Sequence, residues 1–573
     1  MKTVKMISLL SLLLVCILTF SSCGEDKGTE GLDFHLLSDG TYGVSAGNAI
    51  DLDKVVIPAE YNGKPVTEIL PNAFYSATNL AEIVIPDSIT SIGSSAFSHC
   101  KSLNGVVIPN SVTFIDGLAF AYCKNLSSVT IPDSVTSIGY GAFDDCNSAL
   151  YTEYRYGKYV KSGDNPYAVL IDITHKSWST YEIHNDTKII AYRAFYHCTN
   201  LTSITIPDSV TAISDNAFWN CSNLNSVVIG SSVVSIRDYA FSGCESLQSV
   251  VISESVTSIG ECAFYDCGNL ENITVDENNK HYSSIDGNLY SKDKKTLILY
   301  AVGKKDASFV IPDSVAVIGD NALRGCSRLT SIVMPDSINT IGYSSFAWCS
   351  GLTSIVIPDS VTTIGAEAFY RCLSLDNVVI GDSVTSIGDR AFESCSALTG
   401  VILGESVTAI GDYAFAYCDS LAGVTIPDSA TSIGDYAFNA CVNLSSLILG
   451  NSLNHIGERA FAYCESLNSV VIPGSVASIS AQAFCNCVGL TDVVIGDGVA
   501  SIDGSAFGDC TGLTSVVIPN SVTRITLLAF SGCSSLKDVY YTGSEDEWKK
   551  INIDDYNDDL TGATIHYNFI PEE

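Results

Sequence analysis

Ten cysteines, running from Cys326 to Cys533, stand 23 residues apart without a break. Two shorter runs keep the same spacing, Cys100, Cys123 and Cys146, then Cys198, Cys221, Cys244 and Cys267, and Ala77 holds the same phase ahead of them. Together they mark 18 units. A fixed period of this size signals an architecture that grows by repetition. The length of 573 residues calls for one, because a single hydrophobic core stops growing at roughly 250–300 residues. Composition points to strands: 46% hydrophobic and 16% charged, with 44 glycines, 15 prolines and 3 methionines, is too apolar for disorder and too poor in helix formers for a bundle or coiled coil.

In the unit that ends at Cys123 the apolar anchors are Leu103, Val106, Ile108, Val112, Ile115, Ala119 and Phe120. Val106 and Ile108 alternate as in a strand with one buried face, Pro109 ends it, and Val112 to Ile115 supply a second short extended piece. A glycine follows in most units, as at Gly139, Gly365 and Gly411, and is expected to let the chain turn with positive φ. An acid then opens a short helical turn, as in Asp412-Tyr413-Ala414-Phe415, with Asp412 expected to cap the free amides. One unit cannot bury its own Leu, Ile and Phe, whereas stacked coils remove those faces from water and continue the strand ladder. The expected fold is a β-rich (α+β) right-handed solenoid of about 18 coils, roughly 85 Å long at ~4.8 Å per rung.

The unit Leu352-Thr-Ser-Ile-Val-Ile-Pro-Asp-Ser-Val-Thr-Thr-Ile-Gly-Ala-Glu-Ala-Phe-Tyr-Arg-Cys372 resembles the BspA-like leucine-rich repeat of bacterial surface proteins, over most of residues 66–541. That resemblance implies a surface-exposed or secreted protein that adheres to host proteins, other cells or matrix. It brings no catalytic residues and no cofactor.

Residues 1–22, with Lys2 and Lys5 ahead of an apolar run from Ile7 to Phe20, read as a signal peptide too short to span a membrane. Phe20-Ser21-Ser22-Cys23 resembles the lipobox of bacterial lipoproteins, which implies lipidation at Cys23, although Phe20 departs from the usual aliphatic residue. Residues 23–30 read as a tether, 31–65 as an N-terminal cap with strands within Leu36 to Val44 and Val55 to Pro58, and 66–541 as the solenoid. The C-terminal cap, 542–573, is expected to hold a helix over Glu545 to Ile551 and a closing strand over Ala563 to Phe569. Two intervals break the period, at about 147–180 and 271–308, and read as β-hairpins leaving the stack. With Lys188 just past the first, they account for 11 of the 29 bases and predict a basic patch on an otherwise acidic rod.

The 63 acids against 29 bases, net −34, exclude nucleic acid as a partner, because a phosphate backbone is repelled. The in-phase cysteines are expected to form a ladder of buried thiols rather than disulfides or a metal site, since parallel Cβ vectors suit stacking better than bonding and 17 is odd. Cys262 and Cys485 are off phase. Acids also form columns: Asp133, Asp208, Asp313, Asp336, Asp359, Asp382 and Asp428 follow the strand, and Asp389, Asp412, Asp435 and Glu458 open the turns. Capping explains them without a ligand, with Ca²⁺ as the alternative. The eight histidines form no H-E-x-x-H, and neither G-x-S-x-G nor G-x-x-x-x-G-K occurs.

What remains is surface. The two positions between Phe and Cys often hold an aromatic: Tyr75, Tyr122, Tyr196, Trp219, Tyr265, Trp348, Tyr370, Tyr417 and Tyr463. Such a stripe is a candidate protein- or glycan-binding track, against packing between coils as the structural alternative. A second column, Val107, Val228, Val251, Val356, Val379, Val471, Val494 and Val517, lies between buried strand positions and should point outward. The reading is a non-enzymatic, lipid-anchored bacterial surface protein that binds host or other extracellular proteins, with glycan capture for an uptake system as the alternative.

Overall fold

The computed structural model describes residues 28–571, so the signal peptide, Cys23 and most of the tether lie outside the described residues. The chain is a β-solenoid. Each coil contributes an outer strand of three or four residues and a second strand of two, and both pair in parallel with their counterparts in neighbouring coils. Gly105–Val107 pairs with Ser128–Thr130, and Phe114–Ile115 with Ser137–Ile138, each matching residues 23 apart. Val106 points into the core and Val107 out, because successive side chains of a strand alternate faces. The 18 units supply 18 outer strands; Asn272–Val275, Asp538–Tyr541 and Thr564–His566 extend the ladder beyond them. These three keep the strand pattern but lack the Phe-x-x-Cys signature, so the period marked by cysteine undercounts the coils.

The expected helical turn after the acid does not form. A helix has a body of ~10 Å, about twice the ~4.8 Å rung of a sheet, so helices in every coil would splay that side of the stack into a curve. The chain instead makes successive tight turns whose amides bond to the next coil. Those of Leu118, Phe120 and Tyr122 donate to the carbonyls of Tyr140, Ala142 and Asp144, each at 2.7 Å. Two residues per coil, four apart, sit in the left-handed region, such as Leu118 (φ 57°) and Tyr122 (φ 62°). The glycines before the turn do not: Gly139, Gly365 and Gly411 lie outside the positive-φ set. Glycine is required there by close approach, since a Cβ on Gly139 would stand 2.5 Å from the Gly117 nitrogen, and one on Gly365 2.7 Å from the Gly342 carbonyl carbon.

Inside, the phenylalanines form face-to-face columns. Phe120 and Phe143 have centroids 5.4 Å apart and 5° from coplanar, and Phe369 and Phe392 are 4.9 Å apart at 2°. Leu, Ile, Val and Ala rows flank them, almost all buried.

Both insertions contain the expected hairpins, but these do not leave the stack. In the first, Tyr151–Tyr154, Gly157–Ser162 and Asn165–Ile173 form an antiparallel meander whose last strand joins the short-strand ladder, Val169 opposite Ile189 and Leu170 opposite Ile190. In the second, Tyr282–Ile285, Asn288–Ser291 and Thr296–Leu299 do the same through Thr296 opposite Val317 and Leu297 opposite Ile318. Val160, Val169, Leu170, Leu289, Tyr290 and Leu297 are fully buried by this arrangement. The insertions divide the interior into three clusters.

At the C-terminal end, the helix Glu545–Trp548 starts with a capping box between Ser544 and Glu547, and Thr564–His566 closes the outer ladder. The turn ladder is closed separately: the amides of Leu528, Phe530 and Gly532 donate to the Asp555 carbonyl (3.3 Å), Asn557 Oδ1 (3.0 Å) and Asp559 Oδ2 (2.9 Å).

Candidate binding surfaces

The cysteine column is a ladder of free, buried thiols. In 15 of the 17 in-phase positions Sγ–H donates to a carbonyl of the preceding coil, at the Phe position, as from Cys123 to Phe97 (3.0 Å) and Cys372 to Phe346 (3.2 Å). Cys198 and Cys326 lack this bond because an insertion replaces the coil before them. Burial pushes the Cys441 thiol up to about 12, so the thiolate that carries nucleophilic and metal-binding chemistry is suppressed. Among the described residues no group of three or more His, Cys, Asp or Glu side chains is placed to hold a metal ion.

Seven of the eleven column acids cap, each the next coil rather than its own, while Asp133, Asp313, Asp336 and Glu458 accept no such bond among the described residues. Asp389 Oδ1 accepts from the Asp412 amide (2.9 Å), Asp412 from Asp435 (2.8 Å) and Asp435 from Glu458 (2.7 Å). On the strand side Asp359 accepts from the Asp382 amide (2.9 Å), and Asp208 from the Ser231 amide and hydroxyl, which hold its carboxyl below the usual carboxylate range. Several of the insertion bases meet local partners: Arg155 lies 3.0 Å from Glu182, Lys305 3.2 Å from Glu271, and Lys176 donates to the Tyr196 carbonyl at 2.7 Å.

The nine aromatics fall into two columns. Tyr75, Tyr196, Trp219, Tyr265 and Tyr370 directly follow the Phe position; Tyr122, Trp348, Tyr417 and Tyr463 come one later, in the left-handed position. All are exposed or half-buried. The structure brings together Tyr196 and Trp219, stacked at 5.0 Å and 10°, and Trp348 and Tyr370, edge-on at 5.8 Å. Tyr122 stacks on His99 at 4.6 Å, and Tyr75 meets the same His99 edge-on at 5.5 Å. Tyr265, Tyr417 and Tyr463 have no ring partner among the described residues, so the track is a set of islands. Sequence reading missed one island: Tyr413 and Tyr436 stack at 4.6 Å and 4°, with the guanidiniums of Arg390 and Arg459 over them. The signal was present, since both tyrosines directly follow the turn-opening acid.

The valine column does point outward, and it is longer than the eight valines named above. From Val310 to Val517, ten successive coils present Val310, Val333, Val356, Val379, Ile402, Thr425, Ile448, Val471, Val494 and Val517, every one β-branched. Exposure along the column runs from 38% at Val379 to 66% at Val310, with Val494 and Val517 half-buried. Paired register carries the row on to Tyr540 and His566, which stack at 4.8 Å. No helix among the described residues is long and apolar enough to cross a membrane.

The family model of the BspA-type leucine-rich repeat region, in six copies, matches residues 50–155, 174–295, 303–422 and 408–537. Among curated proteins none matches this chain. Solved structures similar to it include a leucine-rich cell surface protein from Faecalibacterium prausnitzii, 22% identical, with 93% of this chain and 99% of that one covered and a TM-score of 0.25. A leucine-rich repeat protein from Bacteroides ovatus is also 22% identical, with 95% and 99% covered and a TM-score of 0.26. The pneumococcal vaccine antigen PcpA is 16% identical, with 95% and 98% covered and a TM-score of 0.30. Assignment rests on the repeat pattern and not on these superpositions.

Proposed function

Because the chain belongs to the BspA-type leucine-rich repeat family, we propose that it is a non-enzymatic surface protein whose solenoid binds an extracellular or host protein along its exposed sheet face. The observation that carries this reading is the row of ten β-branched side chains from Val310 to Val517. Soluble monomers rarely leave contiguous apolar patches larger than a few hundred Å² uncovered, and a row this long, repeating at the rung spacing of the sheet, offers a partner many equivalent contacts. Effective concentration then gives a tight complex from individually weak sites. The signal peptide and Cys23 place the protein, in this reading, at the bacterial cell surface through an N-terminal lipid; mass spectrometry of the mature N-terminus, against Cys23→Ser, tests that part.

Binding of the mature protein to immobilised extracellular-matrix proteins and to a polysaccharide array tests the main reading. Protein binding that falls at least tenfold in a Val356→Lys/Ile402→Lys variant is the expected result. Binding indifferent to those substitutions contradicts it. The stacked, half-exposed pair Tyr196 and Trp219 favours the second reading, glycan capture, in which a ring face meets a sugar face. Array binding lost in Trp219→Ala, with matrix binding absent, selects it.

A further inference from the structure

The turn ladder fails at one place where a cavity has opened. In coil after coil three amides, at the two left-handed positions and the Phe between them, donate to the next coil. In the coil ending at Cys267 these are the amides of Cys262, Phe264 and Asp266, and none has an acceptor among the described residues. The second insertion has taken the place of the coil that would have supplied one. On the far side Tyr300 bonds to the Ala322 carbonyl (2.8 Å), resuming the ladder, while the Asp320 and Arg324 carbonyls that should also receive amides receive none. Between the two walls lies a cavity of about 320 Å³, at the small end of ligand-sized clefts. The corresponding amides of Gly141, Phe143 and Asp145 also end without acceptors at the first insertion, but there Tyr151 enters the break and its hydroxyl bridges Phe143 and Cys146.

The cavity walls are chemically specific. Ile259, Phe264, Leu299 and Val302 give an apolar side. Opposite, Arg324 Nη1 donates to Asn321 Oδ1 (3.3 Å) and Ser344 Oγ (3.1 Å), while its Nε–H is buried without an acceptor. Asn321, itself only 8% exposed, donates to Glu261 Oε1 at 3.4 Å. The buried Arg324 Nε–H and the three amides that lack a protein acceptor all present donors to the cavity, so a ligand rich in acceptors gains by entering.

We infer that this cavity is a peptide-binding site that receives a turned, acceptor-rich segment of another chain in place of the missing rung. The chain itself shows which chemistry closes a broken turn ladder. At the C-terminal cap the same three amides are met by alternate residues of one turned segment that runs into the helix Asp558–Thr561, a backbone carbonyl at Asp555, an amide oxygen at Asn557 and a carboxylate at Asp559, and Leu560 beside them is fully buried. Donors at i, i+2 and i+4 call for acceptors on alternate residues of one turned peptide, as in the intact coils and at the C-terminal cap, not for a single carboxylate, because one carboxylate cannot reach three amides that far apart. Glu261, Asp266 and Asp320 stand around the cavity against one arginine, so uncharged acceptors are favoured over acids. The partner segment is therefore a turned peptide with acceptors on alternate residues, an asparagine among them, and an aliphatic side chain three positions on from that asparagine. This inference does not rest on the sheet-face reading.

The test uses the mature full-length protein and a synthetic peptide copying residues 553–561 with Asp554, Asp555, Asp558 and Asp559 replaced by Asn. Cys262, in the cavity wall and half-buried, reports occupancy through its rate of alkylation by iodoacetamide, with the half-buried Cys485 as internal control. Peptide is expected to slow Cys262 at least fivefold, leave Cys485 unchanged and protect the amides of Cys262, Phe264 and Asp266 from deuterium exchange. Protection should vanish in Leu299→Trp, which fills the cavity, and weaken at least threefold in Arg324→Ala, while Val356→Lys leaves it intact. No protection, equal protection by butyrate, or protection that survives both cavity variants overturns the inference.

Discussion

At the residue scale the coil's most demanding position is the second left-handed one. Glycine fills it at Gly243, Gly325 and Gly532, yet Tyr122, Trp348, Tyr417 and Tyr463 hold it at φ 59–64°. A left-handed L-residue costs roughly 1–2 kcal/mol, so these aromatics sit where folding alone would select glycine. Tyr417→Gly is expected to leave the melting temperature unchanged or higher, whereas Phe415→Ala, two residues away and fully buried, loses about 3–5 kcal/mol in urea unfolding. A loss at Tyr417 comparable to that at Phe415 would make the tyrosine a packing residue. Thiols set the alkaline limit. Below pH 9 a buried Cys is neutral folded or unfolded; between 9 and about 12 only the unfolded chain ionises at Cys441, so stability falls as pH rises, by ~1.4 kcal/mol per pH unit per thiol. Melting temperature should hold to about pH 8.5 and then drop, and Cys441→Ala should shallow the drop by one thiol's share. A flat curve to pH 10.5 contradicts the buried-thiol column.

At the element scale, what was legible in the sequence was what the period repeats. The alternation Val106, Val107, Ile108 announced the outer strand and its two faces, and Pro109 its end. The turn was misread because Asp412-Tyr413-Ala414-Phe415 carries a helix-start signature, while the amides of Tyr413, Phe415 and Tyr417 bond to the next coil, at Asp435, Ala437 and Asn439, instead of along a helix. For the same reason Gly365 looked like a φ > 0 residue when its constraint is the backbone of Gly342 in the coil before, a contact 23 residues away that no local signal encodes. The insertions were found by the interrupted count, but the return of their last strands to the ladder was not, since a run such as Tyr167 to Ile173 reads equally as a hairpin arm or a core strand. Closure of the turn ladder depends on Asn557, 3% exposed, whose Oδ1 accepts from Phe530 and whose Nδ2 donates to Thr526 and Asp554 (2.9 Å each). Asn557→Ala should cost about 1–3 kcal/mol and raise deuterium exchange first at the amides of Leu528, Phe530 and Gly532. Exchange unchanged at those three would show that the cap does not hold the end of the stack.

For the whole molecule, the account has one premise: coils of one length share a continuous interior, and everything functional is carried on the sides of that stack. The candidate surfaces differ in how much of them the sequence could give. The outward valine row followed from strand alternation, while the aromatic islands depended on which neighbours coincide in column, and the cavity beside Phe264 on where a coil is replaced. Small-angle X-ray scattering of the mature protein tests the premise most directly. The ladder of strands predicts a pair-distance distribution with an early maximum from the narrow cross-section and a tail reaching about 100 Å; a symmetric distribution ending near about 65 Å, as for a compact globule of this length, would contradict it.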